Sequence, residues 1–326
     1  MEFALYDQGE GYYSTHAQSI PDYVTAVNFG PYLGWAVARE LAHLWMNLPS
    51  YIAPKVFTVV EVGCGSQAAI ANGCLEIFQR DYPDLFAKTQ VILVDRSIQR
   101  LHLATQKLTR LFPGKVFSCP DINQIPIIWG AIVSNELFDA MPVTVIRRSE
   151  GERLEQAFVE GTATQKQLIW RSSEDPVLLS HSLELPVGVA YALNLDALKT
   201  LETMSAKLEH GFALSIDYGD TRPQVFNRSP VKAYSQGLLK YPDWNNPGKE
   251  DITSPVDFSL LMDWGSRLGL EVVGYDSLSS FLIRNGALDM LSEPKDKTSI
   301  ENNLRVKSLI HPIGFGEDFK VLLQGK

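Results

Sequence analysis

The sequence predicts an α/β fold of Rossmann-like type, in which helices cover a mostly parallel sheet. Between residues 55 and 140, short runs rich in β-branched residues alternate with segments of helical apolar spacing. This alternation is typical of parallel strands joined by right-handed crossovers. The first run ends in the glycine turn Gly63–Cys64–Gly65, and the next run ends in Asp95. Since ligands bind at the carboxyl ends of such strands, we expect a ligand site where these residues meet.

The alternation also sets the order of elements in this region. The run before Gly63 has no polar alternation, as expected for a strand that is buried on both faces. The segment after Gly65 has apolar residues at helical spacing and predicts a helix that begins beside the glycine turn. The pattern predicts helices over 68–80 and 97–111 and strands over 56–62, 90–95, 115–119 and 127–134.

The segments before and after this region predict excursions from the parallel core. An aromatic N-terminal loop precedes an amphipathic helix over 32–48, which Pro49 and Pro54 end. Two strand-like runs flank Ser149–Glu150–Gly151–Glu152 and predict an antiparallel hairpin over 143–159, with one more strand at 167–170. We expect residues 1–54 to form a segment that covers the site and residues 55–326 to form the core, with excursions at 141–190 and 220–256.

The last third of the chain returns to the core pattern. A helix over 193–208 is expected to end at Gly211, which would act as its C-terminal cap before a fifth core strand over 212–219. Five prolines between residues 220 and 256 indicate a loop, which predicts a functional lid or a mobile segment. The remaining elements are a helix over 257–268 and strands over 271–275 and 318–323.

Composition excludes several classes of protein. The formal net charge of −9 argues against nucleic-acid binding, which needs a surface rich in lysine and arginine. The three cysteines lack C-x-x-C pairing and the six histidines are scattered, so we expect a reducing compartment and no metal site. No apolar run reaches the roughly 18 residues of a membrane span, and the N-terminus has no signal pattern. These observations predict a cytoplasmic protein without a membrane span.

The strand ends themselves indicate an adenosine nucleoside as ligand. Gly63 and Gly65 allow close approach to the main chain, and Asp95 follows the second strand, where a carboxylate can accept both ribose hydroxyls. Asp121 follows the third strand and could accept the amino group of an adenine. A dinucleotide fits less well, because Ile70 stands where the last glycine of G-x-G-x-x-G would be.

Several motifs give the chain a resemblance to a known family. The order of strand–E-x-G-x-G, strand–Asp, strand–Asp and an S-N-E strand end resembles a class I S-adenosylmethionine-dependent methyltransferase. Further segments make it similar to the MidA-like family, which includes the mitochondrial methyltransferase required for complex I assembly. The likeness runs from residue 5 to residue 323, and its most specific segment is S-N-E-x-x-D-A-x-P. The other matching segments are Leu5–Tyr6, Gly11–Tyr12–Tyr13–Ser14, Ile216–Asp217–Tyr218–Gly219, and Gly316 with Phe319–Lys320–Val321–Leu322.

The resemblance implies a class I methyltransferase sheet with an antiparallel last strand and S-adenosyl-L-methionine as cofactor. It implies methylation of an arginine on a protein partner, such as a respiratory complex I-type subunit. The chain departs from the family pattern at Gln67, where a third glycine is usual, and at Cys64, where proline is usual. It also carries Val231–Lys232–Ala233–Tyr234 where the family has a Leu-Arg pair and a histidine.

The candidate roles follow from these positions. Glu136 is predicted to bind and polarise the acceptor, with Asn135 as its dipolar partner and Asp139 in the following turn; capping a helix is the alternative role for both acids. Glu61 is expected to order the glycine loop. The other predicted cofactor-binding residues are Gly63, Gly65, Asp95, Asp121, Ile122, Tyr13 and Thr25.

Two other functions stay open at this point. A methyltransferase acting on a small molecule is one, since the unusual 220–256 segment could reshape the acceptor pocket. A binding or assembly factor without catalysis is the other, since Gln67 could weaken the donor site.

Overall fold

A computed structural model of the chain describes residues 1–7, 9–15, 26–48, 54–162, 165–235 and 238–326. The predicted cofactor residue Thr25 lies outside these residues. The strands in the described residues are β1 Phe57–Val62, β2 Thr89–Val94, β3 Val116–Cys119, β4 Ile128–Asn135, β5 Thr144–Arg148, β6 Leu154–Gly161, β7 Lys166–Ser172, β8 Ala190–Leu193, β9 Leu208–Asp220, β10 Lys232–Ser235, β11 Leu238–Lys240, β12 Asp251–Thr253, β13 Val256–Asp257, β14 Glu271–Ser277 and β15 Phe319–Gly325.

Twelve α-helices lie before, between and after the strands of the described residues. Short 3₁₀ turns at Ala26–Phe29, Ile122–Gln124, Val225–Asn227 and Leu288–Met290 supplement them. The α-helices in the described residues are α1 Glu2–Tyr6, α2 Tyr12–Thr15, α3 Tyr32–Met46, α4 Ala69–Asp81, α5 Pro83–Lys88, α6 Ile98–Leu111, α7 Pro176–His181, α8 Leu195–Lys207, α9 Phe258–Arg267, α10 Leu278–Arg284, α11 Lys297–Ile310 and α12 Phe315–Asp318.

The main sheet has the strand order β14-β15-β9-β4-β1-β2-β3, and β13 pairs with the end of β9. Strands β9, β4, β1, β2 and β3 are parallel to one another, whereas β14 and β15 are antiparallel to each other. Every residue of β1 is buried, as its continuous apolar run predicts. The predicted fold class is confirmed, including the antiparallel last strand.

The chain divides into two compact units. The first, here called the sheet unit, comprises Val24–Leu137, Leu201–Asp217 and Met262–Lys326. Its core packs helices α3, α4 and α6 with the parallel strands, and includes Leu33, Phe57 and Phe78. The first 54 residues are therefore shared between both units, because Met1–Tyr23 belongs to the second one.

The second unit, here called the insert unit, comprises Met1–Tyr23, Phe138–Thr200 and Tyr218–Leu261. It contains an antiparallel sheet of order β7-β6-β5-β8, whose β5–β6 pair is the predicted hairpin. A three-stranded sheet, β11-β10-β12, occupies much of the segment predicted to be a loop. Strand β10 is fixed there because Ala233 is buried with Leu5 and Ile252 in a core of its own.

The expected capping role of Gly211 is wrong. Helix α8 ends at Lys207, and Gly211 lies inside β9, where its backbone exchanges hydrogen bonds with Lys326 at 3.0 and 2.9 Å. A Cβ at Gly211 would lie 1.9 Å from the carbonyl oxygen of Gly130 in β4. The glycine therefore permits close contact between two strands.

Candidate cofactor and acceptor site

Five neighbouring strands of the sheet unit carry a polar or glycine residue near their carboxyl ends. In strand order, these are Asp217 at β9, Glu136 after β4, Gly63 after β1, Asp95 after β2 and Asp121 after β3. Because the strands are parallel, their carboxyl ends meet at one edge of the sheet. The structure thus brings together the predicted residues Glu61, Gly63, Gly65, Asp95, Asp121, Ile122, Asn135 and Glu136 along one side of the sheet.

Glu61 holds the first turn of helix α4. Its carboxylate accepts the backbone N–H groups of Ile70 at 3.4 Å and Ala71 at 2.8 Å. These donors have no partner inside the helix, so the carboxylate satisfies them as a capping group would. Burial raises the pKa of Glu61 to about 7, and the two N–H donors offset only part of this effect. The position agrees with the predicted ordering of the loop, a role that stays a prediction.

The glycine loop is tied to strand β2 by backbone contacts. The N–H groups of Gly63 and Cys64 both donate to the carbonyl oxygen of Val94, at 2.8 and 3.1 Å. The N–H of Gly65 donates to Asp95 Oδ2 at 2.9 Å, while Asp95 Oδ1 accepts from Ser97 N at 2.8 Å. Burial is the main influence on Asp95 and raises its pKa. One carboxylate thus joins the ends of β1 and β2.

Open space lies beside this loop. Gly65 has a left-handed φ of +58°, and a Cβ built on it meets no atom of the described residues within 4 Å. Gly63 has φ +73°, which also favours glycine. At Gly65 the loop therefore presents bare main chain to space that the other described residues leave open, as a nucleoside site requires.

Gln67 does not occupy that volume. Its side chain is exposed, and its Oε1 accepts a hydrogen bond from Lys107 Nζ on helix α6 at 2.8 Å. The next residue, Ala68, takes the left-handed conformation, with φ 45° and ψ 55°, and buries its methyl group. The loop therefore turns at Ala68 while the glutamine points to α6.

Asp121 has a local structural role. Its Oδ1 accepts from both the backbone N–H and the side-chain amide of Asn123, each at 2.9 Å, and it caps the 3₁₀ turn. These donors lower the pKa of Asp121. Ile122 follows it and is half-buried. Both residues lie at the end of β3, as expected, and adenine recognition stays a prediction.

The end of β4 carries backbone strain. Glu136 has φ +49°, a conformation that side chains rarely adopt and that is found at functional sites. Its N–H donates to the carbonyl oxygen of Ile216 at 2.9 Å, which fixes it against β9. Its Oε1 accepts from Asn135 Nδ2 at 3.1 Å and from the backbone N–H of Ala26 at 3.2 Å. The carboxylate is therefore held in place from two sides.

Asn135 contributes an unsatisfied acceptor. Its Oδ1 is buried, and within the described residues it accepts no hydrogen bond. Such an atom costs free energy unless a ligand supplies a donor. Next to it, the buried Asp217 accepts the N–H of Leu137 at 3.1 Å. Acceptor atoms thus accumulate at the ends of β4 and β9.

Two other predicted site residues, Tyr13 and Asp139, belong to the insert unit. Tyr13 donates its hydroxyl to Asp251 Oδ1 at 2.8 Å. Asp139 Oδ2 accepts from Thr253 Oγ1 at 3.0 Å. Both residues are thus attached to strand β12, and their proposed roles toward cofactor and acceptor stay predictions.

Sequence reasoning missed three contacts that shape the edge. They are the Ala26 N–H on Glu136, the Gln67–Lys107 bond and the use of Asp217 as an acceptor for Leu137. Each joins residues at least 40 positions apart, so no local motif signals it. The positive φ of Glu136 likewise has no signal in the residue type.

The residues at this edge fit S-adenosyl-L-methionine better than a nucleotide. In phosphate-binding folds, the first N–H groups of the helix hold the phosphate. Here, the Glu61 carboxylate takes two of them, and a phosphate would meet a like charge. A nucleoside that carries a positive sulfonium avoids this repulsion, and the open space beside Gly65 can receive it.

Two absences apply to the part of the chain that the structure describes. It contains no group of three or more His, Cys, Asp or Glu side chains placed to hold a metal ion. No helix in it has the length and apolar character needed to cross a membrane.

Comparison with known proteins gives the family. Two crystal structures of Burkholderia thailandensis proteins resemble the chain, each at 24% identity. One, bound to S-adenosyl-homocysteine, has a TM-score of 0.85 over 100% of this chain and 86% of that chain. The other, of an uncharacterised native protein, has a TM-score of 0.83 over 100% and 85%. Both show the same fold. No curated protein matches the chain.

A sequence profile settles the assignment that the motifs predict. The profile of a family described as "Putative S-adenosyl-L-methionine-dependent methyltransferase" matches residues 36–276, well over half of the chain. The cofactor of this family is S-adenosyl-L-methionine, as expected. The chain therefore belongs to this family of S-adenosyl-L-methionine-dependent methyltransferases.

Proposed function

We propose that the protein methylates an arginine side chain of a protein partner. The observation that carries the proposal is the end of β4, where a strained Glu136 lies beside the unsatisfied buried acceptor of Asn135. Carboxylate and amide oxygens can only accept hydrogen bonds from a ligand, so they select one that brings N–H donors. A guanidinium brings five such donors and a positive charge.

The main task of the chain in this reaction is to orient the methyl donor and the acceptor. S-adenosyl-L-methionine supplies a methyl group on a sulfonium, already activated for displacement. A guanidinium arrives protonated and poorly nucleophilic, since its pKa is above about 12. Glu136 would bind it through charge-assisted hydrogen bonds and draw its charge away from the attacking nitrogen. That nitrogen forms the new bond to carbon, the sulfur keeps the electron pair of the broken bond, and one nitrogen proton is released.

The remaining residues would position the two reactants. Asn135 Oδ1 would accept one guanidinium N–H and orient it, while the Ala26 N–H keeps the Glu136 carboxylate in place. Gly63, Gly65 and Asp95 would hold the nucleoside, with Asp121 and Ile122 at the adenine. Tyr13, Thr25 and Asp139 keep their predicted roles. A protein partner such as a complex I-type subunit, and a cytoplasmic location, belong to the same proposal.

The test compares Glu136→Gln with Glu293→Gln, a change at a largely exposed residue. Purified protein is incubated with labelled S-adenosyl-L-methionine and cell extract, and mass spectrometry locates the label. We expect methylarginine, a loss of about 100-fold or more in turnover for Glu136→Gln, and near-normal turnover for Glu293→Gln. Calorimetry should give both variants the donor affinity of the unchanged protein.

Other outcomes separate the alternatives. Label found on a small molecule would replace arginine with that acceptor class, and normal turnover of Glu136→Gln would refute its role. A chain that fails to bind the donor would indicate a non-catalytic factor. The exposed position of Gln67 on Lys107 argues against this last alternative, because the glutamine leaves the space beside Gly65 open.

A further inference from the structure

Two cations flank an aromatic ring in the insert unit. Lys232 Nζ donates to the hydroxyl oxygen of Tyr218 at 2.9 Å and lies 5.4 Å from the ring centroid. The guanidinium carbon of Arg228 lies 5.0 Å from the same centroid. Tyr218, Arg228 and Lys232, here called the cation cluster, are all half-buried.

The two cations of this cluster have different neighbours. Arg228 has a carboxylate neighbour, Asp220, at 3.4 Å. Lys232 donates to the Tyr218 hydroxyl and, among the described residues, has no carboxylate within ion-pair distance. Removing part of the water from an ammonium without a counter-ion costs free energy, and a ring face offsets only some of it. An anion supplied by a ligand would offset the rest.

The fold holds the Lys232 ammonium in position. Strand β10 lies between β11 and β12, and the neighbours of Lys232, Val231 and Ala233, are buried in the core. Side chains alternate along a strand, so Lys232 projects from the opposite face of β10. The cluster is therefore preorganised, which lowers the entropy lost when a ligand binds.

We propose that the cation cluster is an anion-binding site for a carboxylate or phosphate group of the methyl acceptor. This inference rests on the proposed function, because it concerns the same acceptor protein. A guanidinium is repelled by Arg228 and Lys232, so the site does not take the target arginine. It recognises a second, acidic feature of the acceptor and makes specificity depend on two groups of opposite charge.

Peptides test the source of the anion. A set of arginine peptides of equal length carries glutamate, phosphoserine or glutamine at successive positions around the arginine, and fluorescence anisotropy measures their affinity. We expect the best acidic peptide to bind about tenfold more tightly than its glutamine counterpart. Lys232→Met should abolish this preference and Lys232→Arg should retain it. Lys199→Met, at a largely exposed lysine, should behave like the unchanged protein.

A second measurement needs no turnover. The midpoint of thermal unfolding is recorded with increasing inorganic phosphate or acetate, with chloride keeping the ionic strength constant. A bound anion stabilises the folded chain, so the midpoint should rise in the unchanged protein and in Lys199→Met but not in Lys232→Met. Preference for phosphoserine would assign a phosphate source, and preference for glutamate a carboxylate source.

The outcomes distinguish this proposal from the one above it. If arginine peptides are methylated but Lys232→Met keeps both the acidic preference and the phosphate-dependent rise, the anion site is refuted alone. If no arginine is methylated while Lys232→Met loses the rise, the anion site stands and arginine methylation fails.

Discussion

Glu61 shows how one side chain can decide the choice of ligand and set a pH dependence. Its carboxylate is buried within a β-strand and serves the first turn of the following helix. The sequence predicted that Glu61 orders the loop, because the acid precedes a G-x-G turn. It could not predict that the carboxylate accepts the first N–H groups of α4, since that depends on where α4 begins.

Stability should fall as the pH rises through neutrality. The pKa of Glu61 is about 7 in the folded chain and near its ordinary value of about 4.3 when unfolded, so the folded state binds the extra proton between these values. Its contribution is therefore fully present below pH 4 and is lost as the pH passes 7, by roughly 3 kcal/mol. Asp95, whose pKa burial also raises, acts in the same direction.

Urea unfolding between pH 5 and pH 8 measures this effect. Glu61→Gln keeps the shape of the side chain but carries no titratable proton, so its free energy of unfolding should vary less with pH than that of the unchanged protein. Parallel pH profiles for the two proteins would contradict the assignment.

Gly65 offers a separate test of the donor site. Gly65→Ala places a methyl group in the open space and adds about 1 kcal/mol of backbone strain. We expect calorimetry to show a loss of at least about tenfold in affinity for S-adenosyl-L-methionine. Gly114→Ala is the matched control, because Gly114 also has a left-handed φ, +77°, and no atom of the described residues lies within 4 Å of a Cβ built there. It should lose similar stability and bind the donor normally; an equal loss of binding in both would refute the site.

At the scale of elements, the contact between β4 and β9 explains a failed prediction. A glycine shortly after a helix usually marks its end, which made Gly211 a credible cap. In the structure, β9 begins directly after α8, and the glycine instead allows the backbones of two strands to meet. Five prolines similarly predicted a loop over 220–256. In the structure, part of this segment forms a sheet in which β10 pairs with β12 and Ala233 is buried.

Gly211→Ala should be more destabilising than an ordinary glycine substitution. A Cβ there would lie 1.9 Å from the Gly130 carbonyl oxygen, so the strands must separate. We expect a loss above about 2 kcal/mol in the free energy of unfolding. Gly269 has φ +80°, and a Cβ built there meets no atom within 4 Å in the described part of the chain, so Gly269→Ala should lose only about 1 kcal/mol. If urea unfolding gave Gly211→Ala and Gly269→Ala equal losses in the free energy of unfolding, the contact between β4 and β9 would not account for the destabilisation.

At the scale of the whole molecule, the parallel core was predictable and the division into units was not. Strand and helix periods over 55–140 define the core because each element carries its own pattern. The insert unit is built from three separate segments of the chain, and more than 100 residues lie between the first and the second. Contacts between segments so far apart leave no signal in the local sequence. The ends of the core strands could therefore be located from the sequence, while the long-range partners of the residues there could not.

Hydrogen exchange can locate the donor on the intact chain. Saturating S-adenosyl-L-methionine should slow exchange of the amides in 63–71 and 134–137 at least tenfold. A ligand that binds only the folded loop suppresses its local opening, and a tenfold effect corresponds to about 1.4 kcal/mol in the free energy of that opening. Amides of α11 in the same unit should be unchanged. Equal protection of these amides and of the amides in α11 would indicate global stabilisation without a defined site.

The left-handed backbone conformation of Glu136 links the thermal stability of the chain to its catalytic turnover. Glycine adopts that conformation freely, so Glu136→Gly relieves about 1 kcal/mol of strain while it removes the carboxylate that we propose holds the acceptor. A laboratory selection for thermal tolerance alone would favour this change wherever the relief of strain exceeds the loss of the hydrogen bonds from Ala26 and Asn135, and it would then recover inactive proteins. Directed evolution of the enzyme therefore needs a screen for product at every round.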